Sequence, residues 1–210
     1  MINQIECRNP EPRPRLRRLL GRAVVTAMAV LCAVAGLVAT APGTARADQA
    51  PSFVHWAAAG PSGATGTLSG ASVTLAGPMG TAFYLHDDYP NFNWSAFTPQ
   101  LPATGMVEIV GGAGHTFTLT FGAPVQNPVM MLGSLGSIMT FPSGTSLTRV
   151  SGDSGFQTNG RVVTGTTGPT DSNGTIRLNG TFTSITFTLV PNFTGGNGLD
   201  GVFLQVGGTR

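Results

Sequence analysis

The chain has 210 residues, eleven arginines and no lysine, with 30 glycines, 15 prolines and only two cysteines. The formal charge of +2 is unevenly placed: seven arginines lie before residue 48, and residues 48–210 keep four arginines against six aspartates and one glutamate. A mildly acidic, lysine-free body has no electrostatic footprint for phosphate backbones, so nucleic-acid binding is excluded as a leading reading.

Arg13 to Arg22 forms a basic stretch, Ala23 to Thr40 an uncharged run of Ala, Val, Leu and Gly, and Ala45-Arg46-Ala47 places small residues at −3 and −1 of a cleavage site. This pattern predicts an export signal cleaved after Ala47, giving a secreted product that starts at Asp48 and has no membrane association thereafter. A membrane anchor is the competing reading of the apolar run, and Arg17-Arg18 leaves the twin-arginine and general export routes both open. Cys7 and Cys32 both fall in this segment, so residues 48–210 contain no disulfide and must be stabilised by core packing. A stretch of that length buries enough surface to fold as one domain.

From residue 60 onward, short alternating runs are punctuated by Gly, Pro, Asn and Ser, with no sustained helical period. In chain order the expected strands are Ser52–Trp56, Ser72–Leu75, Thr81–Tyr84, Met106–Val110, Thr116–Phe121, Val129–Leu132, Ser146–Val150, Arg161–Thr164, Thr175–Leu178, Ser184–Leu189 and Val202–Val206. Thr116–Phe121 and Ser184–Leu189 are the clearest, each with apolar residues on one face and threonines on the other. Ser69-Gly70, Asn159-Gly160, Asn173-Gly174 and Asn179-Gly180 read as turns between strands, and Gly111 to His115 as a hairpin turn. Eight to eleven antiparallel strands predict an all-β, two-sheet antiparallel β-sandwich, jelly-roll-like, with a closed barrel as the alternative.

His86 to Gly105 interrupts this rhythm as a long loop, and its first half concentrates aromatic, acidic and amide side chains. Flat aromatic faces stack on pyranose C–H groups and Asp or Asn side chains bond paired hydroxyls. Tyr84, His86, Asp87, Tyr89 and Trp94 are therefore the candidate glycan-contacting residues. The competing reading has Phe92, Trp94 and Phe97 closing one end of the core.

No cofactor is expected. Asp87, Asp88, Asn91 and Asn93 offer oxygens to calcium but lack EF-hand spacing, and Asp171, Asn173 and Asp200 would contribute only if the fold gathers them. Solvated turn aspartates are the simpler account. Gly152-Asp153-Ser154-Gly155 matches the nucleophile segment of chymotrypsin-like proteases, but its flanks do not, and it reads as a turn. The only glutamate after residue 47, Glu108, lies in an expected strand, and adjacent Asp87 and Asp88 diverge in extended chain, so no glycosidase carboxylate pair is evident. Asn93, Asn173, Asn179 and Asn192 begin Asn-x-Ser/Thr sequons, which suggests that those turns are exposed.

Phe121-Gly-Ala-Pro-Val-Gln-Asn-Pro-Val129, Gly133-Ser-Leu-Gly136, Leu147 to Gly155, Gly174 to Gly180 and Asp200-Gly201-Val202 together resemble small β-sandwich modules of exported bacterial proteins. The resemblance spans Ser52 to Gly207. It implies a jelly-roll of the carbohydrate-binding or adhesion type but transfers no ligand residue. The expectation is a non-enzymatic binding module for a glycan or cell-envelope component. The alternatives are a structural or interaction protein of the envelope and an extracellular hydrolase.

Overall fold

The computed structural model describes residues 49–87, 94–111, 114–166, 171–192 and 200–210. The expected export signal lies outside the described residues. Fourteen strands follow in order: β1 Ser52–Phe53, β2 His55–Gly60, β3 Gly63–Leu68, β4 Ala71–Ala76, β5 Ala82–His86, β6 Met106–Gly111, β7 His115–Leu135, β8 Ser137–Thr140, β9 Leu147–Gly152, β10 Gln157–Asn159, β11 Val162–Thr164, β12 Ser172–Leu178, β13 Thr181–Pro191 and β14 Asp200–Thr209. All strand pairs are antiparallel, and the longest path runs β10-β11-β8-β13-β7-β14-β6-β5. The two ends of that path do not pair, so the sheet is open and the barrel alternative fails.

The long strand β7 is the spine. Its first half pairs with β13 on one edge and β4 on the other, and its second half with β12 and β14. The change of partners falls in Phe121 to Pro128, where Pro124 and Pro128 have no N–H to donate to a ladder. Both lie in breaks of register: Phe182 faces Val125 while Ser184 faces Thr120, and Thr209 faces Gln126 while Gly207 faces Val129. Asn127 turns the chain with φ of 44°, a left-handed conformation that Asn tolerates better than most residues.

Asn179-Gly180 separates β12 from β13, as expected of a turn signal, but it forms the other half of this corner and not a hairpin, since β12 and β13 do not pair. β12 and β13 lie end to end along the same edge of β7 and bend with it. The Asn127 amide donates to Gly180 O at 2.7 Å, and the Gly180 amide donates to Asn127 Oδ1 at 3.0 Å. Asn179 Nδ2 reaches Ser146 Oγ and Thr148 Oγ1 at 3.1 Å each, fastening β9 to the same point. Asn173-Gly174 is no turn but part of β12, at a bulge against β7, and Asn173 is buried, contrary to the expected exposure. Gly111 and His115 bound strands that do not pair with each other, so the segment between them is a connection and not a hairpin. Ser69-Gly70 and Gly160-Arg161 do close two-residue hairpins, the first with both residues at positive φ as a type I′ turn demands.

The main core collects the apolar face of the first half of β7 and its neighbours. Phe117 stacks on its cross-strand partner Phe187 at 5.6 Å, and Phe83 meets Phe117 edge-on at 6.2 Å. The threonines between them point away, as the alternation predicts. The second half of β7 differs because both of its faces are covered: Met130 and Leu132 enter the main core, while Met131 enters a smaller one with Phe97, Leu101, Met106 and Phe203. That second core places a layer over the outer face of β6, β14, β7 and β12.

Asn127→Ala should lower unfolding free energy by about 1–2 kcal/mol, because alanine gains the left-handed penalty and loses the bond from Gly180. Asn127→Gly, which keeps the conformation without penalty, should lose less in a urea melt. Equal losses would show that the backbone angle at this corner carries no cost.

Candidate binding groove

Of the expected glycan residues, Tyr84 and His86 lie on the outer face of β5 and Asp87 just beyond its end. Tyr84 is 52% exposed and stands opposite Glu108 of β6. His86, two residues on along the same face, is half-buried; its Nε2 lies 2.8 Å from Glu108 Oε2 and its ring meets Phe203 edge-on at 4.8 Å. Asp87 is exposed at the end of the strand. Trp94 opens a short 3-10 turn, Trp94–Ala96, but its side chain and all of Tyr89 lie outside the described residues, as do Asp88, Asn91, Phe92 and Asn93.

Glu108, whose strand position in the sequence gives no hint of a polar partner, is the residue that His86 meets on this face. Its alternation with Val107 and Ile109, both buried in the main core, is the signal that it faces outward toward β5. Gly201 on the adjacent strand leaves room for it, since a Cβ there would lie 2.5 Å from Glu108 Oε1.

The described end of the long loop, residues 94–105, is a strap across this outer face. Phe97 and Leu101 are buried in the second core, as the core-closing reading expects of Phe97. Two buried side chains of the sheet hold the strap. The Thr98 amide donates to Thr175 Oγ1 at 3.3 Å. Gln205, with no exposed surface, donates to Thr104 Oγ1 and Val54 O at 3.2 Å each and to Gly105 O, and accepts from the Val206 amide at 2.7 Å. An amide in this position satisfies the turn carbonyl that the apolar layer would otherwise strand.

Where the strap ends, the outer face opens into a groove of about 270 Å³. Pro99 of the strap forms one wall and Gln49 with Pro51, ahead of β1, another; the floor is Val129 and Val150; Gln126, Asn127 and Thr209 supply amides and a hydroxyl from the β7 corner and the end of β14. Arg177 of β12 stands opposite Val129 and, among the described residues, is the only charged one lining the groove.

The four arginines among the described residues divide sharply in role. Arg149 donates to Phe156 O, Gly152 O and Asp153 O at 2.8–2.9 Å, Arg161 to Phe141 O, and Arg210 to Ser69 O at 2.8 Å and Leu68 O at 3.4 Å. These three secure loop carbonyls. Arg177 alone is exposed without a hydrogen-bond or ion-pair partner among the described residues.

The fold also gathers a polar cluster at the far end of β7. Ser134 Oγ donates to Asp171 Oδ2 at 2.9 Å, Ser137 Oγ donates to Asp200 Oδ2, and Asn173 links to Asp153 through its own amide at 2.7 Å. The remaining oxygens of Asp171 and Asp200 converge over Gly136, where a Cβ would lie 3.1 Å from each. Asn173 Oδ1 is occupied by the Ser134 amide, and among the described residues no three His, Cys, Asp or Glu side chains come together to hold a metal. Burial raises the Asp200 pKa above its ordinary value of 3.8; the Ser137 hydroxyl opposes this, the charge of Asp171 adds to it, and the Gly136 and Gly201 amides lower it.

A carboxyl whose folded pKa is raised stabilises the protein fully below its unfolded pKa and loses that contribution as pH rises through the folded value. Asp171→Asn removes the repelling charge, so it should stabilise the protein at pH 7, by no more than about 1 kcal/mol in this partly solvated setting. The gap from wild type should close in urea melts at low pH, where Asp200 is protonated and holds no charge for Asp171 to repel. A gap that persists at low pH would assign the effect to packing instead.

No family model, curated protein or solved structure matches this chain, so its functional reading is carried by the geometry of the groove and its neighbours.

Proposed function

We propose that this protein is an exported, non-catalytic module that binds a carbohydrate of the cell envelope or another extracellular surface in the groove beside the strap. The observation that carries this reading is the composition of the groove: valines and prolines for the C–H face of a sugar, and side-chain amides and a hydroxyl for its hydroxyl groups. Neither the His86–Glu108 pair nor the Asp171–Asp200 pair lines the groove, which favours recognition over hydrolysis there. The basic, apolar and small-residue sequence of residues 13–47 supports export. The two partner sets of β7, with one large core formed from both, favour a bent two-sheet sandwich of the jelly-roll kind.

A second location for the same function is the face of β5, because Tyr84 presents a half-exposed side chain there and Asp87, at the end of the strand, is also exposed. Both locations share the outer face of one sheet and are separated by the strap.

A glycan array followed by calorimetry on the best ligand separates them. Val150→Trp fills the groove from a position already 38% exposed and should weaken binding at least tenfold without unfolding the protein, whereas Tyr84→Ala should leave affinity within about twofold. The reverse pattern would move the site to β5. An array without any bound glycan would remove the carbohydrate reading.

A further inference from the structure

We infer that the groove selects an acidic saccharide, and that Arg177 recognises the carboxylate of a uronic acid residue within it. The inference rests on the groove as the binding site and adds the charge of its ligand.

Arg177 occupies a position that stability does not explain. It projects from the outer face of β12 beside Val129 and, among the described residues, meets no carboxylate and secures no carbonyl, in contrast to the other three described arginines. A guanidinium on an otherwise apolar and amide-lined wall is a planar fork of donors awaiting an acceptor. Its surroundings sharpen the effect. Residues 48–210 carry a negative balance and no lysine, yet among the described residues no aspartate or glutamate lines this groove, so Arg177 makes a positive spot on an acidic surface.

The number of cations favours a carboxylate over a phosphate. One guanidinium matches one negative charge in bidentate geometry, while a phosphate monoester near neutral pH carries almost two and is ordinarily met by several donors or a nest of amides. The walls favour a sugar over the carboxyl end of a peptide. Pro51 and Pro99 have no N–H to pair with an extended chain, and Val129, Arg177 and Gly208 are already paired within the sheet. Gln49, Gln126 and Thr209 instead offer side-chain groups suited to scattered hydroxyls.

Calorimetry of the protein with an oligogalacturonate, and with the neutral galactose oligomer of the same length, tests this directly. The acidic ligand should bind at least tenfold more tightly, and its advantage should shrink as salt is raised. Arg177→Gln, at an exposed position, should leave the melting temperature unchanged and abolish the preference, while Arg177→Lys should recover only part of it because an ammonium cannot form the fork. Equal binding of neutral and acidic oligomers, unchanged in Arg177→Gln but lost in Val150→Trp, would overturn the acidic selectivity and leave the groove intact as a sugar site. Binding of neither oligomer, nor of any arrayed glycan, would overturn both. Tighter binding of a short peptide through its terminal carboxylate, lost in Arg177→Gln, would overturn the saccharide and keep the role of the guanidinium.

Discussion

The bend shared by β7 and the β12–β13 edge is the constraint on which the rest of this fold depends. Two chain segments must turn at the same place, and the reciprocal bonds between Asn127 and Gly180 make each turn the template of the other. A slip of either strand by one residue would break both bonds and also reverse every side chain beyond the slip. The corner therefore fixes which residues face the main core, which face the strap, and where Arg177 emerges. It also accommodates two prolines that would each interrupt an unbent ladder.

Much of this was legible in the sequence where one face of a strand is wet. Thr116–Phe121 and Ser184–Leu189 announce themselves because threonine and large apolar residues alternate strictly. β3 did not, although its pattern is equally regular: the buried positions are Ala64, Gly66 and Leu68, and two of these are too small to register as apolar. Gly66 must be small, since a Cβ there would lie 2.5 Å from His55 O. The turn vocabulary misled at Asn173-Gly174, and at Asn179-Gly180 it marked a break between strands without its kind, for a related reason. The Asn-Gly pair reports a local conformation, and that conformation serves a bulge or a corner as readily as a hairpin.

The site was legible only in part. The long loop stands out by its lack of alternation, but its described half buries Phe97 and Leu101 and matters as a wall. Arg177 carried no local signal. One arginine in a strand among four is unremarkable until the hydrogen bonds of the others are known, and those link residues far apart in the chain, such as Arg210 with Ser69 and Leu68 or Arg161 with Phe141. Glu108 was hidden in the same way, by a partner 22 residues away across a strand pair.

The buried amide of Gln205 has a kinetic consequence. Lifting the strap would leave that side chain, the Gly105 carbonyl and the Thr104 hydroxyl without partners in an apolar layer, a state of high free energy and low occupancy. The wall of the groove is therefore standing before any ligand arrives. For the binding proposed above, encounter then needs no movement of the strap and little ordering cost, so residence time, rather than the speed of association, would tell one ligand from another.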